Sequence, residues 1–202
     1  MKKQLSYLAL GDSYTIGEAV EESQRWPVQL ANELSQISFD IKEQRIIAHT
    51  GWTTDDLLGA IQQAMPNGEY DLVSLNIGVN NQYRGYPINQ FEEEFGKLVD
   101  LAIGFSKNEN DGVIVVAIPD YSVTPFGQRH TPKQIAIELD HYNRMAAQIC
   151  DDKKVEFVNI VDISRKAKYD ITLLSNDGLH PSGKMYSLWV ERILPKVKFQ
   201  IK

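Results

Sequence analysis

The chain holds a single cysteine, Cys150, among 202 residues. One thiol excludes an internal disulfide framework and a multi-cysteine zinc cluster. Cys150 closes a helical pattern and reads as a packing residue. Basic clusters are scarce too, with lysines running no further than pairs such as Lys153-Lys154, and the formal net charge is -6. Phosphate backbones are bound by clustered Lys and Arg, so this balance argues against a nucleic-acid partner. No apolar run approaches the ~20 residues that a membrane helix needs. After Met1-Lys2-Lys3 the apolar stretch is short, is broken by Gln4 and Ser6, and has no small-residue cleavage site. No secretory leader is expected from this pattern, and a cytoplasmic protein is expected. Repeats and linkers are missing as well. Hydrophobic residues at 43% and charged residues at 24% fit a globular chain, expected to form one domain over residues 1–202.

What is present is a regular alternation. Apolar runs at Leu5–Leu10, Phe39–Ala48, Asp71–Ile77, Val113–Ile118 and Val155–Val161 read as strands. The fourth is continuously apolar, as in a strand buried on both faces. Between them, Trp26/Leu30/Leu34, then Leu57/Leu58/Ile61/Ala64, then Phe91/Phe95/Leu98/Leu101/Ala102 recur at helical spacing. Thr53 or Thr54 is expected to cap the second of these helices, with Asp55-Asp56 in its first turn and Pro66-Asn67-Gly68 ending it. Further helices are expected from Thr131-Pro132 to about Asp151 and from Pro181-Ser182-Gly183 onward. Glu21–Arg25, Pro119–Thr131 and the stretch before His180 read as loops. Such a β-α order implies a parallel three-layer α/β/α sandwich with right-handed crossovers. The turns beyond the strand carboxyl ends then share one edge of the sheet, where open α/β sheets place their chemistry.

Those turns carry distinctive residues. Gly11-Asp12-Ser13 follows the first strand, Gly51 the second, and Gly78-Val79-Asn80 the third; Asp177-Gly178-Leu179-His180 precedes the last helix. Serine-based acyl transfer needs a nucleophile, a base, a group that orients the base, and donors for an oxyanion. Ser13, His180 and Asp177 fit the first three roles in turn. The Ser13 and Gly51 N–H groups and the Asn80 side-chain amide fit the fourth. Asp12 reads as a loop support. His49 with Asp55-Asp56, and Asp140-His141, lack metal-ligand spacing, so neither a metal nor a cofactor is expected.

These four blocks, in this order across the chain, resemble those of the SGNH (GDSL-type) hydrolases. The resemblance implies a flavodoxin-like sheet of five parallel strands in the order 2-1-3-4-5. It implies ester or thioester hydrolysis, with the serine, glycine, asparagine and histidine as catalytic residues and the aspartate supporting the histidine. One position departs from the family: the third block commonly ends in Asp, and here Asn81 stands there. An amide both accepts and donates, so the turn is expected to survive. The motif is not the Gly-x-Ser-x-Gly elbow of the α/β-hydrolases, since Thr15 occupies the last position.

Aromatic residues flank the blocks. Tyr14, Trp52, Tyr83 and Phe126 are expected to face a small-molecule ester, with Arg84, Tyr86 and His130 nearby. A short acyl group suits such a wall. Carbohydrate O-acetyl esters, thioesters and lysophospholipids remain open as substrates. So does a non-catalytic flavodoxin-like binding domain, which would leave Ser13, Asn80 and His180 apart.

Overall fold

The computed structural model describes residues 2–37, 39–66 and 68–197. Its centre is a five-stranded parallel sheet in the order β2-β1-β3-β4-β5, with β1 at Lys3–Gly11, β2 at Phe39–Ala48, β3 at Leu72–Asn76, β4 at Val113–Val116 and β5 at Glu156–Val158. Every residue of β3 and β4 is buried, as is Tyr7–Gly11 of β1. Both faces of the central strands are therefore covered, which is why these segments are apolar without alternation. Helices α2 (Trp26–Ile37) and α8 (Gly183–Ile193) pack against each other. Helices α3 (Thr54–Ala64), α5 (Ile88–Phe105) and α6 (Pro132–Asp152) pack in series and close the other face.

The expected elements form, and the differences have local causes. The Thr53 N–H donates to the Asp56 carboxylate at 3.1 Å, so Thr53, not Thr54, caps α3. That helix stops at Ala64, with Met65 left-handed; Asn67 of the expected Pro66-Asn67-Gly68 stop lies outside the described residues. Strand β4 ends at Val116 instead of Ile118 because the Asn143 side chain replaces a strand partner. Its amide accepts from the Ile118 N–H and donates to the Ile118 carbonyl, both at 2.8 Å. Strand β5 stops at Val158, since Val161 already opens helix α7 (Val161–Arg165). The expected loop before His180 thus holds α7 and two 3-10 turns, at Lys166–Lys168 and Ile171–Leu173. Glu21–Arg25 likewise contains a 3-10 turn, at Glu22–Gln24. Two short helices at the sheet edge were also not foreseen: α1 (Ser13–Ile16) and α4 (Val79–Tyr83). Among the described residues, no helix is long and apolar enough to cross a membrane. Nor do any three His, Cys, Asp or Glu side chains among them form a group that could hold a metal ion.

Candidate active site

Ser13 is the first residue of α1, immediately past the end of β1, and is 4% exposed. Asp12 precedes it and accepts the Tyr14 N–H at 3.0 Å, so its carboxylate holds the turn. Burial pushes the Asp12 carboxyl up to about 7, against the pull of that bond. This is the support role expected for Asp12.

Asp177 and His180 share one tight turn. The Ser175 N–H donates to the His180 carbonyl at 2.8 Å, and Leu174 and Pro181 form an antiparallel bridge beneath. His180 Nδ1 lies 2.6 Å from Asp177 Oδ2. Asp177 Oδ1 accepts from the Ser175 hydroxyl (2.7 Å), the Leu179 N–H (2.9 Å) and the His180 N–H (3.0 Å). Burial alone would raise the Asp177 carboxyl, but these bonds and the imidazole outweigh it and hold it down at about 2. A carboxylate so fixed keeps the Nδ1–H tautomer and leaves Nε2 as an acceptor. The Tyr14 ring packs on the imidazole, with centroids 5.5 Å apart.

Gly51 adopts φ 83°, a conformation that side-chain-bearing residues rarely take, and its carbonyl accepts from Arg84 Nη2 at 2.6 Å. Gly78 precedes α4 at φ 122°; a Cβ there would lie 2.5 Å from the Phe91 ring. That tight passage lets α4 start at once and lift Asn80 to the sheet edge. Asn80 Nδ2 donates to the Trp52 carbonyl at 2.9 Å, which uses one amide hydrogen and leaves the other. The structure keeps the expected turn at Asn81 with an amide: Asn81 Oδ1 accepts the Thr54 N–H at 3.0 Å, and Asn81 Nδ2 donates to the Thr54 hydroxyl at 2.7 Å.

Ser13, Gly51, Asn80 and His180 all line one cavity of about 180 Å³, closed by Tyr14, Tyr83, Tyr121, Phe126 and aliphatic groups. Among the described residues, no hydrogen bond joins Ser13 to His180; such contacts often tighten only with substrate. Of the four aromatic residues expected in the wall, Tyr14, Tyr83 and Phe126 line the cavity. Trp52 does not: its carbonyl holds Asn80, and its ring packs on His49 with centroids 5.6 Å apart. His130 does not line the cavity but is exposed beside it with its ring against Phe126 and Tyr83, and His141 lies in a separate groove. Thr50, Val79 and Leu179 also line the cavity and were not foreseen. Each sits inside or beside one of the sequence blocks, so adjacency was the signal that could have found them. Arg84 was read only as a nearby cation, and its hold on Gly51 has no sequence signature.

A parallel sheet in this order, with residues of four turns gathered at its carboxyl edge, defines a doubly wound α/β scaffold with its candidate site beyond the strand ends. The model of the GDSL-like Lipase/Acylhydrolase family matches residues 9–188, and the chain belongs to that family of hydrolases acting on ester bonds. No curated protein matches the chain by sequence. The fold is shared with a lipolytic G-D-S-L family protein from Veillonella parvula DSM 2008 (TM-score 0.73, 14% identity, covering 94% of this chain and 96% of that one). It is shared also with the acetylxylan esterase Axe2 from Geobacillus stearothermophilus (TM-score 0.72, 18% identity, 98% and 96% covered). A third is the psychrotrophic esterase EstA from Pseudoalteromonas sp., in a structure inhibited by monoethylphosphonate (TM-score 0.68, 21% identity, 95% and 96% covered).

Proposed function

We propose that the chain is a single-domain serine esterase of small, short-acyl esters, working through an acyl-enzyme on Ser13. One observation carries the reading: Ser13, Gly51, Asn80 and the His180–Asp177 pair, drawn from four separate turns, converge on one cavity of about 180 Å³. The Ser13 hydroxyl attacks the ester carbonyl while His180 Nε2 takes its proton. Asp177 favours the imidazolium that forms. The oxyanion of the tetrahedral intermediate accepts from the Ser13 and Gly51 N–H groups and from Asn80 Nδ2. His180 then returns the proton to the leaving alcohol. Water, activated by the same imidazole, attacks the acyl-enzyme and frees the acid and Ser13. Every proton in this cycle moves through one side chain, and no cofactor enters the balance.

The wall of the cavity supports a narrower second reading, a carbohydrate O-acetyl ester. Tyr83 is 53% exposed at the rim, and its ring meets those of Phe126 and His130 at 6.0 and 6.3 Å. Rings presented in this way suit the apolar faces of a sugar, and Axe2, which shares the fold, is named for an acetylated xylan.

The test is hydrolysis of nitrophenyl esters of graded acyl length, beside a panel of sugar acetates, by the wild type and Ser13→Ala. Ser13→Ala is expected to lower turnover by roughly 10³-fold or more, with the fastest wild-type substrates among the shortest acyl groups. No Ser13-dependent turnover of any ester, together with a Ser13 inert to a fluorophosphonate probe, would overturn the esterase reading. Turnover of nitrophenyl esters with no Ser13-dependent release of acetate from any sugar would remove the carbohydrate reading alone.

A further inference from the structure

The position where this chain departs from its family lies under the proposed oxyanion site. Asn81 and Thr54 are both fully buried. They join the first turn of α4, which carries Asn80, to the first residue of α3, just past Gly51 and Trp52. Together with the bond from Asn80 to the Trp52 carbonyl, they fasten two of the three proposed oxyanion donors to each other.

The hydrogen-bond polarity in this link is fully determined. The Thr54 N–H can only donate, so the Asn81 carbonyl oxygen must face it, at 3.0 Å. The Asn81 NH₂ then faces the Thr54 hydroxyl, at 2.7 Å, and occupies that oxygen as an acceptor. The hydroxyl proton must go elsewhere, and it goes to the Glu94 carboxylate on α5. The other Glu94 oxygen accepts from Gln90 Nε2 at 2.9 Å. Each of these four contacts thus pairs one hydrogen with one acceptor, and the Thr54 hydroxyl proton is committed to Glu94.

An aspartate at residue 81 breaks this arithmetic. Its two oxygens would need the Thr54 N–H and the Thr54 hydroxyl proton, and Glu94 needs that same hydroxyl proton. One hydrogen would then face two carboxylates across a buried threonine, where an unpaired charge is costly. We propose that Asn81 is a positioning residue for the oxyanion site, and that Glu94, through the Thr54 hydroxyl, is the reason an amide stands at residue 81. The inference rests on the esterase reading above, because the donors it positions are those of that mechanism.

The reversed circuit makes the proposal testable by rescue. In the double variant Asn81→Asp/Glu94→Gln, the Thr54 hydroxyl donates to the new carboxylate at residue 81. The new amide at residue 94 donates through its NH₂ to the Thr54 oxygen, and its carbonyl accepts from Gln90. Each of these contacts again pairs a donor with an acceptor: the two bonds at the Thr54 hydroxyl are turned round, while those from the Thr54 N–H and from Gln90 keep their direction. The experiment compares wild type, Asn81→Asp and Asn81→Asp/Glu94→Gln in kcat, KM and Tm, at a temperature where circular dichroism shows all three folded. Asn81→Asp is expected to lower kcat roughly 10-fold or more with KM little changed, since an oxyanion donor acts in the transition state. Its Tm falls as well. The double variant is expected to recover most of both losses, although it carries one more substitution.

An Asn81→Asp enzyme with wild-type kcat would overturn the positioning role, as would a double variant no better than the single one. Recovery of Tm without recovery of kcat would reduce the network to a structural tie and likewise overturn it. Failure of the esterase reading itself looks different: the wild type then shows no Ser13-dependent turnover at all, and the positioning role falls with it.

Discussion

Asp12 precedes the proposed nucleophile and Asp177 pairs with the proposed base, and their surroundings drive the two carboxyls in opposite directions. Asp12 is 1% exposed, and burial raises its carboxyl to about 7. In the unfolded chain the same group titrates near ~3.9. Folding therefore takes up a proton between those values, and stability declines as pH rises from about 4 to about 7. Asp12→Asn keeps an oxygen to cap Tyr14 and removes the charge. Its Tm is expected to match the wild type near pH 4 and to exceed it by several degrees at pH 8, measured by thermal melts across that range. An unchanged difference across the range would mean that Asp12 is charged throughout. Asp177 obeys the opposite sign: its carboxyl is held at about 2, so its contribution is complete above the unfolded value and is lost as pH falls toward 2. Asn80→Ala leaves the Trp52 carbonyl without its donor and removes one proposed oxyanion contact. Turnover is expected to drop roughly 10²–10³-fold while KM changes little, read from steady-state kinetics on the best ester. These residues were legible as types at turns. What each does was not, because Asp12 and Asp177 are told apart by how deeply each is buried and how many donors surround it.

The elements that carry the site are anchored from outside it. The Pro119–His130 stretch contributes Tyr121 and Phe126 to the cavity. Asp120, at its start, is 2% exposed and pairs with Arg165 Nε at 2.8 Å, while Arg165 Nη2 reaches Asp140 of α6 at 2.8 Å. The Ser164 hydroxyl accepts the Asp120 N–H at 2.9 Å. Helix α7 thus holds the loop down. Arg165→Ala would leave the buried Asp120 carboxylate short of its cation, softened because the guanidinium is 41% exposed. A loss of about 1–2 kcal/mol, or roughly 2–8 °C in Tm, is expected from thermal melts. Helix α7 escaped the sequence reading because Val161 was taken into the strand Val155–Val161 and the few residues after it are too short a run to show a helical stripe. The turn at Asn159–Ile160 that ends β5 is made by a side chain, with Asn159 Oδ1 accepting the Val161 N–H at 3.0 Å. The long helices α2, α3, α5, α6 and α8 were legible because each carries an apolar stripe, whereas α1 and α4 are too short to show one.

At the scale of the molecule, the sheet and its two helical layers bury one thiol completely. Cys150 is 0% exposed at the end of α6, and burial pushes its thiol up to about 12. A thiol in that state is a poor nucleophile. An aromatic disulfide reagent is expected to leave the native protein unlabelled and to react at the rate of global opening once denaturant is added. Prompt labelling without denaturant would show that α6 opens on its own. The sequence by itself determined the β-α alternation, the parallel sheet and the four blocks, because apolar periodicity and turn chemistry are local properties of a chain. It also placed the blocks at one edge, since strands that all run parallel have their carboxyl ends on the same side of the sheet. Only the tertiary structure decided which side chains face the cavity. Trp52 turned away to hold Asn80 through its carbonyl, Arg84 came to clasp Gly51, and Asn81 met Thr54, which in turn met Glu94, across three helices. Those contacts join residues far apart in sequence, and their directions depend on a supply of protons and lone pairs that is complete only when every element is in place.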